Sequence, residues 1–89
     1  MKFEWDPAKA AANILKHGVS FEEAARAFED SLSATFPDPD HSRDEFRLIT
    51  YGLGPKGKLL VVSHTERGDT VRIISARQAT EKERKRYES

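Results

Sequence analysis

An α+β fold, with two N-terminal helices packed on an antiparallel β-sheet and a short helix closing the chain, follows from three observations. Leu59–Ser63 and Val71–Ser75 are β-branched, apolar runs flanking Glu66-Arg67-Gly68-Asp69, whose glycine stands where a turn needs positive φ. Two helix starts with side-chain caps, at Asp6-Pro7 and at Ser20-Phe21-Glu22-Glu23, precede any strong strand signal. A further capping box, Thr80-Glu81-Lys82-Glu83, follows the last strand. Neither arm of the hairpin alternates cleanly, as expected of strands covered on both faces, so the hairpin is placed at the centre of the sheet. Arg72 and Arg77 interrupt its second arm. A guanidinium is costly to bury unpaired, so each must meet a carboxylate, a ligand or water.

Composition narrows the class. The 89 residues suit one domain, 1–89, with a modest core. The absence of cysteine excludes a disulfide framework and a zinc-thiolate site and makes a cytoplasmic protein the expectation. Lys2, Glu4 and Asp6 occupy the amino terminus with no apolar run behind them, and no stretch approaches the roughly 20 apolar residues of a membrane span, so neither export nor a membrane partner is expected. The formal net charge is zero, yet residues 1–45 hold 5 Lys/Arg against 10 Asp/Glu, and residues 46–89 hold 10 against 5. The second half therefore suits a polyanion, and the first half is acidic.

In chain order, Lys2-Phe3-Glu4-Trp5 alternates as a short extended segment with Phe3 and Trp5 on one side. Trp5 reads first as a core or edge-covering residue and second as a base-stacking one. Asp6 as N-cap and Pro7 at the first helical position open a helix over Pro7–His17, with Ala8, Ala11, Ala12 and Leu15 at helical spacing and Gly18 as C-cap. Lys16 and His17 fall in its last turn, where the helix dipole favours positive charge, an account of His17 that competes with a role in a functional site. The Ser20/Glu23 box starts a second helix over about Phe21–Glu29, with Phe21, Ala24, Ala25 and Phe28 on one stripe. Between Asp30 and Asp44 only Ala34-Thr35-Phe36 has strand character, and Pro37 and Pro39 confine it to a sheet edge. Asp38, Asp40, His41 and Asp44 match no calcium-loop spacing, so the cluster reads as a solvated loop and no metal is expected.

Glu45 to Leu53 alternates as a strand, with Phe46, Leu48 and Thr50 on one side and Glu45, Arg47, Ile49 and Tyr51 on the other. The loop Gly54–Lys58 returns the chain into Leu59, pairing residues of like parity. A two- or four-residue turn after it brings Thr70, Arg72 and Ile74 to the face of Arg47 and Glu45, leaving Phe46, Leu48, Leu60, Val62, Val71 and Ile73 under the helices. His64 then falls on the helix-covered face; a three-residue turn would set it beside Arg72. The sequence leaves that register open. After Arg77 the Thr80 box opens a helix to about Tyr87, in which Glu81 and Lys85 are ordered for an i, i+4 pair. Lys82, Arg84, Lys85 and Arg86 read either as a solvated face or as phosphate contacts.

Phe3-Glu4-Trp5-Asp6, Asn13 with Lys16-His17-Gly18, Ser20-Phe21-Glu22-Glu23-Ala24, Glu45 with Arg47, and Arg72-Ile73-Ile74-Ser75-Ala76-Arg77 together resemble the BrnT family of type II toxin–antitoxin ribonucleases. The resemblance covers nearly the whole chain in order. It implies a RelE-like fold, cleavage of RNA without a metal or other cofactor, and neutralisation by a BrnA-type ribbon-helix-helix antitoxin. DNA would be reached only through that antitoxin, whose dimer would carry two toxins. It points to Glu45, Arg47, Arg72 and Arg77 as site residues, and less directly to His64 and His17.

Those residue types suit the chemistry. RNA cleavage without a metal needs a base for the 2′-OH proton, cations for the charge developing on the phosphate, and an acid for the leaving 5′-oxygen. Arg47 and Arg72 can clamp the scissile phosphate, with Arg77 orienting the backbone or serving the same phosphate, and Lys82, Arg84 and Lys85 can bind further phosphates. Glu45 beside two arginines is a dependable carboxylate but a weak base, and a histidine is better matched near neutral pH. Without the resemblance, Glu45 with Arg47 or Arg72 reads more simply as a cross-strand ion pair. A binding module that docks RNA or a protein without cleaving is the alternative from another class.

Overall fold

A computed structural model describes residues 1–38, 40 and 46–88. Five strands and three helices follow in the order β1 (Lys2–Glu4), α1 (Pro7–His17), α2 (Phe21–Ala27), β2 (Ala34–Pro37), β3 (Leu48–Leu53), β4 (Leu59–Arg67), β5 (Thr70–Gln78) and α3 (Glu81–Glu88). They form an α+β fold around one sheet of order β1-β5-β4-β3-β2. β2 through β5 are antiparallel, whereas β1 lies beside β5 and runs parallel to it, so the sheet is mixed and not antiparallel throughout. A three-residue strand has too little pattern to declare its direction; β1 takes its place by seating Phe3 opposite Val71.

The helix caps form as their residues dictate. Asp6 accepts from Ala8 N–H (2.8 Å), Ser20 and Glu23 form a complete capping box, and Gly18 closes α1 in the left-handed region (φ 70°). α2 stops two residues before the expected Glu29. Its last carbonyl, Ala27 O, is pressed by Gly52 of β3, where a Cβ would collide with it. Asp30 then accepts from the N–H groups of Leu32 and Leu53 (2.9 Å each).

The core lies between α2 and the inner face of the sheet. Phe21, Ala24 and Ala27 of α2 meet Leu60, Val62, Val71, Ile73 and Ala76, with Phe3, Trp5 and Phe28 packed at the margin. Trp5 meets Phe21 edge to face at 5.9 Å, which accounts for it as a core-covering residue. α1 differs from its pattern. Ala8, Ala11, Ala12 and Leu15 face away from the core, and Leu15 is 90 % exposed. The buried residue is Asn13, beside the partly buried Ala10, and its amide donates to Val19 O (2.8 Å) and Ala76 O (2.7 Å) and accepts from Ala76 N–H (3.1 Å). Three buried backbone groups are satisfied by one side chain, and leaving any of them unpaired costs on the order of 1–3 kcal/mol. That requirement, and not the alanine stripe, fixes the rotation of α1. Phe46 likewise stands outside β3 and is exposed instead of lying under the helices. No helix among the described residues is long and apolar enough to cross a membrane.

Candidate active face of the sheet

The geometry of the site is set by a bulge in β5. The hairpin turn is two residues long, with Gly68 at φ 60° and Arg67 paired with Thr70, so Thr65 stands opposite Arg72 and His64 opposite Ile73. Beyond it the register shifts: Ser63 pairs with Ser75, Val62 with Ala76 and Val61 with Arg77, leaving Ile74 as the extra residue. In a regular strand residues 72 and 77, five apart, point to opposite faces. The bulge reverses the phase between them, so Val71, Ile73 and Ala76 are all buried while Arg72, Ser75 and Arg77 share the outer face.

That outer face is a series of rows across the sheet. Arg77, Val61, Tyr51 and Ala34 form one; Ser75, Ser63, Ile49 and Phe36 form the next; Arg72 and Thr65 form a third. Thr65 and Val61 are four residues apart on one strand, so Arg72 and Arg77 are separated by about 13 Å along the sheet. Arg47 directly precedes β3, and its carbonyl accepts from Asp38 N–H at 2.9 Å, which extends the β2–β3 ladder by one pair.

The two arginines are held differently. Arg72 faces Glu4 of the parallel edge strand at 3.9 Å, a loose, half-exposed pair. Arg77 makes a bidentate bridge to Glu83 (2.7 and 2.9 Å), and the same carboxylate accepts from Thr80 N–H at 2.9 Å while Thr80 Oγ1 accepts from Glu83 N–H at 3.2 Å. The Thr80 capping box and Arg77 thus form one network that sets α3 across the sheet. The Arg77 hydrogen bonds hold the Glu83 carboxyl down at about 2, and Glu83 in turn raises the Arg77 guanidinium. The other end of α3 is fixed by Tyr87, which stacks on Tyr51 (6.5 Å, 26°) and donates to Leu32 O (2.6 Å) and Asp30 (3.2 Å). Lys82, Arg84 and Lys85 stay exposed on this helix, with Arg84 near Glu88 (3.4 Å) and Lys85 near Glu81 (3.7 Å), the latter pair as spaced in the sequence.

The histidines are not brought to this face. His64 is fully buried on the inner face, its ring edge-on to Phe28 at 4.9 Å and its Nε2 2.7 Å from Thr50 Oγ1, while Nδ1 is buried without a hydrogen-bond partner. Burial pushes it down to about 4 from an ordinary 6.5, so it is neutral at physiological pH. The two-residue turn determines this, against the three-residue turn that would have set His64 beside Arg72. His17 lines a separate cavity of about 240 Å3 at the end of the sheet, with Glu23, Lys56, Lys58 and Gln78. Glu45 lies outside the described residues, as do His41 and Asp44 of the acidic loop. Among the described residues no group of three or more His, Asp or Glu side chains could hold a metal.

Sequence reasoning missed the bulge, though Ile73-Ile74 carried its signal: two adjacent isoleucines between arginines that both avoid the core. It also missed the hydroxyl of Ser75, which the bulge brings onto the outer face beside that of Ser63.

A sheet face carrying arginines and hydroxyls, bounded by a basic helix, is the class of surface that receives a phosphate backbone. The sequence profile described as "Ribonuclease toxin, BrnT, of type II toxin-antitoxin system" matches residues 5–83, and the chain belongs to that family. The fold is similar to the 1.1 Å crystal structure of the Brucella abortus ribonuclease toxin BrnT, with a TM-score of 0.71 and 26 % identity over 91 % of this chain and 99 % of that one. No curated protein sequence matches it. Membership of a type II toxin–antitoxin family implies an antitoxin partner.

Proposed function

We propose that this chain is a growth-inhibiting cytoplasmic endoribonuclease, a single RelE-like domain that cleaves RNA on the outer face of the sheet without a metal. The observation that carries this reading is the bulge at Ile74, which turns both arginines of the RIISAR segment onto one exposed face. In this reading a base takes the 2′-OH proton, the 2′-oxygen attacks phosphorus, and the P–O5′ bond breaks. The products are a 2′,3′-cyclic phosphate and a 5′-OH end once an acid protonates the leaving oxygen. Arg72 stabilises the charge gathering on the phosphate oxygens, and Arg47 joins it where the alternation of β3 is continued by one residue. Arg77, a further 13 Å or so along the sheet, serves a neighbouring phosphate and holds α3. Glu45 is the candidate base. Lys82, Arg84 and Lys85 on α3, and His17 at the sheet end, contact the flanking strand.

The partner in this reading is a BrnA-type ribbon-helix-helix antitoxin, two toxins on one antitoxin dimer, with DNA bound only through the antitoxin. Acidic side chains laid over Arg72 and α3 would exclude RNA by competition, and salt would slow their association.

One observation favours a second reading, that of a binding module without cleavage: the carboxylates placed on the described outer face, Glu4 and Glu83, each already face an arginine. Incubating the purified protein with RNA in the presence of a chelator separates the two. The enzyme leaves 2′,3′-cyclic or 3′-phosphate ends; intact RNA that is nonetheless retained by the protein selects the binding module.

A further inference from the structure

We propose that the β2–β3 side of the outer face is a base-stacking subsite for single-stranded RNA, with Phe36 as its platform. This rests on the ribonuclease reading and names where the substrate's bases lie. Phe36 belongs to an edge strand, is 53 % exposed and contributes nothing to the core on the opposite face. Its neighbour Tyr51 meets it edge-on (6.1 Å, 73°), an arrangement in which the two rings do not cover one another face to face. Cross-strand from Phe36 is Ile49, and the same row continues into Ser63 and Ser75. The outer face is thus divided across its strands. Its β2–β3 half is aromatic and aliphatic, and its β4–β5 half carries hydroxyls and Arg72.

A single-stranded nucleic acid has the same division, with flat apolar bases on one side and a phosphate chain on the other. Strands stand about 4.8 Å apart, so a ring on β2 and a cation on β5 are separated by about 14 Å, the reach of roughly two nucleotides. Stacking tolerates any base because every base has a π-face, so the subsite would set the register of the strand without reading its sequence. An apolar protein segment would suit Phe36 but would leave Ser63, Ser75 and Arg72 facing side chains of no defined kind. The cations and hydroxyls on the same face favour RNA.

The test uses the full chain and its Phe36→Ala and Phe36→Tyr variants. A mixed-sequence, fully 2′-O-methylated RNA carrying 2-aminopurine, which cannot be cleaved through its 2′-oxygen, reports stacking by fluorescence quenching. The expected result is quenching by the wild type and Phe36→Tyr, and weak quenching with roughly tenfold poorer binding for Phe36→Ala. On cleavable RNA the loss should appear in KM and not in kcat. A thermal melt within a few degrees of the wild type establishes that the edge position tolerates alanine. Equal quenching and equal KM for Phe36→Ala overturn the subsite while leaving the nuclease intact. So does a variant that binds RNA normally but has lost its antitoxin, which would make Phe36 a protein contact. Failure of the wild type to cleave any RNA overturns the ribonuclease reading instead, and the quenching measurement still decides the subsite.

Discussion

The two faces of one sheet follow opposite rules in this protein. The inner face is sealed: Val62, Val71, Ile73 and Ala76 lie against α2, and His64, buried on the same face, is kept neutral and hydrogen-bonded to Thr50. The outer face exposes its charges and crosses them with a helix that buries none of its residues, held by Arg77–Glu83 and Tyr87. A residue's chemical aptitude therefore says less about its role than the face it is given. His64 has the side chain best suited to proton transfer near neutral pH and is fully buried; Arg77 joins Arg72 on the open face through a single extra residue in β5.

Titration is the largest lever on this contrast. The folded-state value of His64, about 4, lies below its ordinary 6.5, so protonation favours the unfolded chain. Its stabilising contribution is complete above pH 6.5 and is lost as pH falls towards 4, by up to about 3 kcal/mol. Denaturant melts across this range should show that slope in the wild type, and His64→Gln should flatten it while RNA cleavage per folded molecule stays within a few-fold. A variant that keeps the slope would place the titrating group elsewhere. Loss of cleavage in a normally folded His64→Gln protein would join the two faces functionally.

A smaller effect separates holding α3 from holding RNA. Arg77→Ala and Glu83→Ala each break the same bridge, and each should cost about 1 kcal/mol, or roughly 5 °C in melting temperature. Cleavage should fall further for Arg77→Ala than for Glu83→Ala, since only the first removes a cation from the face. Equal losses of cleavage would make Arg77 a support for α3 alone.

The sequence was most legible where a local signal had a local cause. The bounds of α1, both S/T-x-x-E capping boxes, the β4–β5 hairpin and the edge strand ended by Pro37 are each dictated by side chains within a few residues of the feature. It was least legible where a distant partner decides. Asn13 is turned inward by Ala76, 63 residues away, against an alanine stripe that reads as core. β1 pairs in parallel with a strand at the other end of the chain. Alternation alone could not phase Arg77 with Arg72, because the bulge adds one residue to a period of two.

In the proposed reading RNA is cut on the outer face, with Arg72 as its principal cation. Single-turnover cleavage of RNA by Arg72→Ala, set beside its thermal melt, tests this most directly. Arg72 makes only a loose pair with Glu4, so the melt should stay within a few degrees of the wild type, while the rate falls on the order of a hundredfold or more. Full cleavage by a normally folded Arg72→Ala protein would place the reaction away from this face.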